Sequence, residues 1–191
     1  MVRIAVLGLG AMGRRMARRL VAAHHEVVVW SRSGTPEELR ALATVRTASS
    51  PRAAASEADV VVSMVTDDDA SHAVWADRET GALAGLRHDA LVIESSTLTP
   101  AWVASLGAQV KAAGGRFLDA PVVGSRPQAE AGSLVHLVGG TEEDLARARP
   151  VLASWSSAVH HLGPSPSGTV AKLAVNALFG IQVAALERRS C

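Results

Sequence analysis

Short apolar runs alternate with amphipathic segments along most of this chain. The runs are rich in β-branched residues, and several are apolar throughout, as expected of strands covered on both faces of a parallel sheet. The intervening segments have the helical period; in 11–23, for example, Met12, Met16, Leu20 and Ala23 share one face. The runs predicted as strands are 2–7, 26–30, 59–65 and 90–94, with weaker ones at 45–48 and from Phe117. Repeated strand–helix alternation predicts an α/β fold with a doubly wound, mostly parallel sheet.

Composition narrows the classes of protein that this chain can represent. Of 191 residues, 48% are hydrophobic, which is enough for one large domain or for one domain and part of a second. The net charge of +1 does not favour nucleic acid or an anionic membrane as a partner. The only cysteine is Cys191, so a disulfide framework or cysteine metal site is excluded. We expect no signal peptide and no apolar run of transmembrane length, and therefore a cytoplasmic protein.

A glycine-rich turn follows the first strand directly and opens the first helix. It reads Gly8-Leu9-Gly10-Ala11-Met12-Gly13. The first glycine allows a tight turn, the second lets the backbone approach a pyrophosphate, and the third allows close packing of helix on strand. The start of the helix presents N–H groups and a positive dipole end to phosphate. This position predicts a Rossmann-type dinucleotide site.

The end of the second strand bears on which dinucleotide is preferred. NAD sites commonly place an acidic residue there to hold the ribose 2′-hydroxyl, whereas this chain has Ser31, Arg32 and Ser33. A guanidinium and two hydroxyls suit a 2′-phosphate. We therefore predict NADP rather than NAD, with NAD possible and an ordinary polar turn as the alternative.

Two further strand ends are predicted to line the cofactor. Ligands of open α/β sheets bind beyond the carboxyl ends of the strands. Met64, Val65 and Thr66 end the fourth strand, and Thr97 follows the fifth. The acidic run 67–69 could suggest a metal, but consecutive carboxylates after a strand are more typical of a helix cap, and we predict no metal site.

A different pattern begins at Asp119. Residues 119–132 are predicted as a long loop before a hairpin-like segment, 133–140. Backbone N–H groups near Val123, Gly124 and Ser125 could bind a small carboxylate; the alternative is a plain long turn. His160 and His161 are adjacent in a predicted strand and therefore point to opposite faces, which disfavours joint chelation.

The last helical segment carries one lysine among apolar residues. Gly168, Lys172 and Asn176 are spaced by four and share a helix face. A helix this apolar should be buried, and burial lowers the pKa of a lysine, so that it can donate or accept a proton near neutral pH. The alternative is a lysine that snorkels from a half-exposed helix.

Taken together, four motifs resemble the β-hydroxyacid dehydrogenase family, which includes 3-hydroxyisobutyrate dehydrogenase and tartronate semialdehyde reductase. They are the glycine turn 8–13, the segment 31–33, the segment 119–124 and the pattern 168–176, in this order and spacing. The resemblance implies an NAD(P)-binding domain, residues 1–163, joined to a long interdomain helix that begins an all-helical domain, residues 164–191. It implies Lys172 as the catalytic residue, Asn176 and the turn at Val123, Gly124 and Ser125 as substrate ligands, and Thr97 beside the nicotinamide. We also predict a homo-oligomer, a dimer, formed through the C-terminal helix, because that helix lacks the partners that should cover its apolar face.

Two features of the chain depart from the family pattern. The substrate turn usually reads Ser-Gly-Gly, whereas here it is Val123-Gly124-Ser125, so the substrate acid is left open. The chain also stops at Cys191, where the family continues into further helices, and we expect a C-terminally truncated member. The predicted activity is NADP-dependent interconversion of a small β-hydroxyacid and its semialdehyde. The alternatives are a cofactor-binding protein without turnover and an imine-reductase-like relative.

Overall fold

The computed structural model describes residues 2–187 and contains two sheets with helices packed around them. The strands are β1 Arg3–Leu7, β2 Glu26–Trp30, β3 Val45–Thr47, β4 Val60–Ser63, β5 Leu91–Glu94, β6 Arg116–Asp119, β7 Val122–Val123, β8 Leu134–Val138 and β9 Ser156–His161. The helices are α1 Gly13–Ala22, α2 Glu37–Arg40, α3 Pro51–Ser56, α4 Asp68–Ala76, α5 Pro100–Ala112, α6 Arg126–Ala131, α7 Glu142–Leu152 and α8 Ser167–Glu187, with a 3₁₀ turn at Ala82–Gly85.

The larger sheet confirms the predicted fold class. Its six strands are all parallel in the order β3-β2-β1-β4-β5-β6. This is the strand order of dinucleotide-binding sheets, in which the direction of winding reverses between β1 and β4. The carboxyl ends of β1, β2 and β4 therefore meet at one edge of the sheet, where the crevice of such folds lies.

The sheet is covered on both faces, as its apolar strands require. On one face Ile4, Val6 and Ile93 pack with α1 residues such as Met16 and with α7. On the other face Leu7, Val61 and Val92 pack with α3, α4 and α5. Side chains alternate between faces along each strand, so each strand contributes to both layers of the core.

The segment after β6 differs from the prediction. Residues 119–132 were expected to form a loop, but they contain β7 and α6. The predicted hairpin in 133–140 is wrong, because only one strand, β8, forms there. β8 pairs antiparallel with β7 and parallel with β9. β8 pairs with strands that are distant from it in sequence, and the local turn residues do not show which strands these are.

The final helix is long and mostly exposed, which corrects the expectation of burial. Its exposed large apolar side chains are Val170, Leu173, Val175, Leu178, Phe179, Ile181, Val183 and Leu186. Ser167–Leu186, with a mean hydropathy of 1.6, is also long and apolar enough to cross a membrane, contrary to the expectation that no run has that length. Length and composition do not distinguish a membrane span from a helix that packs on another domain.

Candidate functional site

A cleft of about 210 Å³ lies beyond the carboxyl ends of β1, β2 and β4. Three loops that are far apart in sequence form its walls. Its lining residues are Gly8, Leu9, Gly10, Trp30, Ser31, Arg32, Ser33, Met64, Val65, Thr66, Ala70, Ala73 and Val74. The structure thus brings together the predicted glycine turn, the predicted 2′-phosphate segment and the end of β4.

The three glycines of the turn have two different physical roles. Gly8 has a φ of +96°, and its N–H donates to the carbonyl of Trp30 at 2.9 Å. A Cβ at Gly8 would overlap the carbonyl oxygen of Met64, and a Cβ at Gly13 would overlap that of Gly8. A Cβ at Gly10, in contrast, would meet no protein atom within 4 Å. Gly8 and Gly13 are therefore required by packing, and Gly10 leaves open space at the wall of the cleft.

The start of α1 is suited to an anionic ligand. Met12 is the N-cap residue, and no side chain caps the helix. Its first turn contains no acidic residue. Because the first N–H groups of a helix have no intrahelical acceptor, this end of α1 offers donors and a positive dipole to a phosphate.

The end of β2 presents a cation and two hydroxyls at the cleft. Arg32 and Ser33 are exposed, and the Oγ atoms of Ser31 and Ser33 are 3.3 Å apart. The positive charge of Arg32 also interacts electrostatically with the Asp67 carboxylate. The pKa of Asp67 is lowered mainly by hydrogen bonds from the Ala70 N–H and the Thr66 hydroxyl, and further by Arg32. Arg32 therefore contributes positive potential at the mouth of the cleft.

A second cavity, of about 390 Å³, contains Thr97 and adjoins the first through Thr66. It lies between the ends of β4 and β5 and the helix α8. Its lining residues are Thr66, Asp67, Asp68, Asp69, Thr97, Leu98, Thr99 and Leu173. The cavity therefore lies against α8 at Leu173, while Lys172 and Asn176 line neither cavity.

The acidic run 67–69 has a structural role at this cavity. The Asp67 carboxylate accepts from the Ala70 N–H at 2.8 Å as the N-cap of α4, which confirms the predicted helix cap. Asp68 accepts from the Thr99 N–H at 2.9 Å and from the Thr99 hydroxyl at 2.5 Å. Within residues 2–186, whose side chains the structure describes, no group of three His, Cys, Asp or Glu side chains is arranged to hold a metal ion.

Lys172 is partly buried on α8, next to Leu173 of the second cavity. Burial lowers the pKa of Lys172 below its ordinary value of 10.5. Among the side chains that the structure describes, residues 2–186, no carboxylate forms an ion pair with Lys172, so desolvation is not offset by an opposite charge. Asn176, one turn later, is exposed.

The predicted substrate turn lies apart from both cavities. Neither cavity is lined by Val123, Gly124 or Ser125. The Ser125 N–H donates to Gln128 Oε1 at 3.0 Å within the capping box of α6. One donor that we assigned to a substrate carboxylate is therefore engaged inside the protein.

A buried carboxyl group beneath the cleft was missed by sequence reasoning. Glu94, 1% exposed at the end of β5, accepts from Trp75 Nε1 and the Ser96 N–H, each at 3.0 Å, and from the Ser71 hydroxyl at 3.3 Å. Desolvation raises the pKa of Glu94, although hydrogen bonds from Ser96 and Trp75 oppose the shift. Ser96 Oγ in turn accepts from the Val65 N–H at 2.8 Å, so this network joins the ends of β4 and β5. The sequence did contain a signal for this site, because Glu94 is a single acidic residue at the end of an otherwise apolar strand.

A buried histidine was missed as well. His136 in β8 is 0% exposed, and its two ring nitrogens contact the Ala120 carbonyl at 2.8 Å and Trp155 Nε1 at 2.6 Å. Because the indole N–H can only donate, Nε2 accepts and Nδ1 carries the proton. Burial lowers the pKa of His136 to about 4. The sequence signal was the spacing, because residues 134, 136 and 138 lie on the same face of a strand and Leu134 and Val138 are apolar.

Comparison with known proteins identifies the family. Residues 3–163 match the family described as the NAD binding domain of 6-phosphogluconate dehydrogenase. The chain belongs to this family. The match covers both sheets of the structure, and the family description agrees with a dinucleotide in the cleft.

Relatives and solved structures extend this result. The chain is 35% identical over 181 residues to an NAD-dependent L-serine dehydrogenase of Pseudomonas aeruginosa, covering 95% of this chain and 60% of the relative. It is 34% identical to a solved 3-hydroxyisobutyrate dehydrogenase of Mycobacterium tuberculosis with L-serine, at a TM-score of 0.86, covering 97% of this chain and 62% of the other. An imine reductase from Myxococcus stipitatus has a TM-score of 0.85 at 20% identity, with coverage of 98% and 64%. That likeness shows the fold alone. The chain thus spans about three fifths of the length of these proteins.

Proposed function

We propose that this protein is an NADP-preferring oxidoreductase that interconverts a small β-hydroxyacid and its semialdehyde. The observation that carries the proposal is a pair of neighbouring cavities that share Thr66 in their linings. The glycine turn and Arg32 line the first cavity, and Thr97 and Leu173, the residue after Lys172, line the second. Family membership supports the dinucleotide in this cleft. L-serine, named with two of the relatives, is itself a β-hydroxyacid.

The cleft residues fit the dinucleotide in this proposal. Gly10 leaves open space at the wall where a pyrophosphate would approach, and the uncapped start of α1 supplies donors. Arg32, Ser31 and Ser33 would hold the adenosine 2′-phosphate, and Met64, Val65, Thr66 and Thr97 would line the path to the nicotinamide. When bound, the nicotinamide supplies or accepts the hydride.

Lys172 acts as the general acid and base in this scheme. In reduction its ammonium group protonates the oxygen of the semialdehyde carbonyl. In oxidation its neutral amine takes the hydroxyl proton of the β-hydroxyacid. The lowered pKa of Lys172 supports this role, because the neutral form is then available at lower pH than for an ordinary lysine. Asn176 would contact the substrate acid. The turn at Val123, Gly124 and Ser125 would contact it through N–H groups other than that of Ser125, and only if the substrate extends beyond the two cavities.

A second candidate is a protein that binds NADP without turning over a substrate. The specific observation in its favour is the exposure of α8, where Leu178, Phe179 and Ile181 are each more than 60% exposed. A substrate held against an open helix would not be shielded from water. We further infer a homo-oligomer that associates through this apolar face, because exposed patches of this kind favour association.

One experiment separates the two candidates. NADPH oxidation is measured against a panel of small semialdehydes, beside NADPH binding by fluorescence, for the unaltered chain, Lys172→Ala and Lys111→Ala. Lys111, exposed in the last turn of α5, is the only other lysine and serves as the matched control. The proposal expects turnover in the unaltered chain and in Lys111→Ala. It expects turnover at least a hundredfold lower in Lys172→Ala with unchanged NADPH binding.

Two outcomes contradict the enzyme proposal. Binding of NADPH with no turnover on any member of the panel supports the second candidate. Undiminished turnover in Lys172→Ala removes Lys172 from the mechanism.

A further inference from the structure

The first turn of α8 is held by a buried carboxylate from the end of β6. Asp119 is 0% exposed, and its Oδ2 accepts from the Thr169 N–H at 2.7 Å. Thr169 is itself 1% exposed. A charged acceptor at this short distance makes a strong hydrogen bond, and its negative charge complements the positive end of the helix dipole.

The surrounding backbone leaves this junction little freedom. Asp119 and Gly139 exchange two backbone hydrogen bonds, at 3.1 Å and 2.8 Å. A Cβ at Gly139 would overlap Asp119 Oδ1, and a Cβ at Gly168 would overlap the Leu137 carbonyl oxygen. The end of β6, the end of β8 and the start of α8 therefore pack with no space for side chains between them.

This junction sets the position of the lysine. Lys172 follows Thr169 by three residues, a rise of about 4.5 Å along the helix. The part of α8 beyond Lys172 is mostly exposed. The amino end of the helix is therefore where the described structure holds α8 against the sheets.

We propose that Asp119 is a positioning residue for Lys172, because its carboxylate anchors the first turn of α8 and so fixes the position of the amine relative to the two sheets. The catalytic consequence rests on the function proposed above. The geometric claim does not, because the environment of the Lys172 amine can be measured without turnover.

The test compares Asp119→Ala, which removes the acceptor, with Asp119→Asn, which keeps an oxygen acceptor without the charge. Thr141→Val is the matched control: Thr141 Oγ1 caps α7 by accepting from the Asp144 N–H at 3.1 Å, and α7 carries no residue of the proposed site. Each variant of the 191-residue chain is first checked by circular dichroism. It is then labelled briefly with acetic anhydride, and mass spectrometry gives the ratio of modified Lys172 to modified Lys111. The chain contains only these two lysines, so Lys111 is an internal standard.

We expect the Lys172:Lys111 ratio to change at least threefold in Asp119→Ala and to stay within 1.5-fold in Thr141→Val. In Asp119→Asn, which loses the charge but keeps an acceptor, we expect a change between 1.5-fold and threefold. We expect kcat to fall at least tenfold in Asp119→Ala with the Kd for NADPH within twofold, and to recover in part in Asp119→Asn. An unchanged ratio in folded Asp119→Ala overturns the proposal. If Asp119→Ala does not fold, an unchanged ratio in Asp119→Asn overturns it.

The control and the unaltered chain separate the remaining cases. An equal change of the ratio in Thr141→Val also overturns the proposal, since loss of any cap would then suffice. If the unaltered chain shows no turnover while the ratio changes as expected, the proposed function fails and the positioning role of Asp119 stands.

Discussion

Gly10 and Gly13 provide a paired test of where a dinucleotide contacts this fold. Both belong to the same turn, but their surroundings are opposite. A Cβ at Gly10 would meet no protein atom within 4 Å, and the φ of Gly10 lies outside the left-handed range. A Cβ at Gly13 would overlap the Gly8 carbonyl oxygen, a backbone atom that cannot rotate away. Alanine at the two positions should therefore affect different properties.

The expected magnitudes follow from these contacts. Gly10→Ala should leave the free energy of unfolding unchanged or raise it by up to about 1 kcal/mol, because alanine reduces the entropy of the unfolded chain. The added methyl group should weaken NADPH binding by at least about 1.4 kcal/mol, or tenfold, because it occupies the space that a pyrophosphate approaches. Gly13→Ala should lower the free energy of unfolding by about 1–3 kcal/mol through overpacking.

The assay combines urea denaturation with fluorescence titration of NADPH for the unaltered chain and both variants. NADPH binding by Gly10→Ala equal to that of the unaltered chain would refute the reasoning, because the pyrophosphate could not then lie against Gly10. An unchanged stability of Gly13→Ala would refute the packing role of Gly13.

Three further outcomes are expected. Arg32→Ala should weaken NADP binding about tenfold and NAD binding less than twofold. A charge-assisted hydrogen bond to the 2′-phosphate is worth about 1.5–3 kcal/mol, and the exposure of Arg32 favours the lower end of this range. Arg40→Ala is the control, and equal losses of affinity for both cofactors would contradict the NADP preference. Oxidation of a β-hydroxyacid should rise with pH and level off below 10.5, because burial lowers the pKa of Lys172 and oxidation needs its neutral amine; a rate that still rises at pH 10.5 argues against this. His136, with a pKa of about 4 in the folded protein against 6.5 unfolded, binds fewer protons when folded, so its contribution to stability is complete above pH 6.5 and falls by about 2 kcal/mol at pH 5. The raised pKa of Glu94 acts in the opposite direction, because its contribution to folding stability is lost as the pH rises. The measurement is therefore the pH dependence of the free energy of unfolding, compared between the unaltered chain and His136→Gln. An identical dependence in both proteins would exclude His136 as the source of the stability loss at low pH.

Several parts of the fold follow from local sequence, and others do not. The strand prediction for 26–30 matches β2 residue for residue, because its apolar β-branched run has clear polar boundaries. The helix cap predicted for the acidic run 67–69 also agrees with the structure, where Asp67 caps α4, because capping is a local interaction. The segment after Asp119 was predicted less well, since β7 has only two residues and forms through pairing with β8.

The candidate site divides in the same way. Residues 8–13, 31–33 and 64–66 were selected from their places after strands, and the structure brings most of them to one cleft. Glu94, Asp119 and His136 were not selected, because each looks like an isolated polar residue until its partners are known. The partners are Trp75 for Glu94, Thr169 for Asp119 and Trp155 for His136, and each lies at least 19 residues away in sequence.

The sequence by itself determined the alternation of strands and helices, the glycine turn and the absence of a carboxylate at the end of β2. These features depend only on residues that are close in sequence, because backbone geometry and side-chain periodicity are set within a single turn, helix or strand. Only the tertiary structure decided which strand ends meet, which glycines need to lack a side chain, and which polar groups are buried. Desolvation and hydrogen bonding depend on atoms that the fold brings together. That is why the anchoring of α8 by Asp119 emerges only once β6, β8 and α8 are seen in contact.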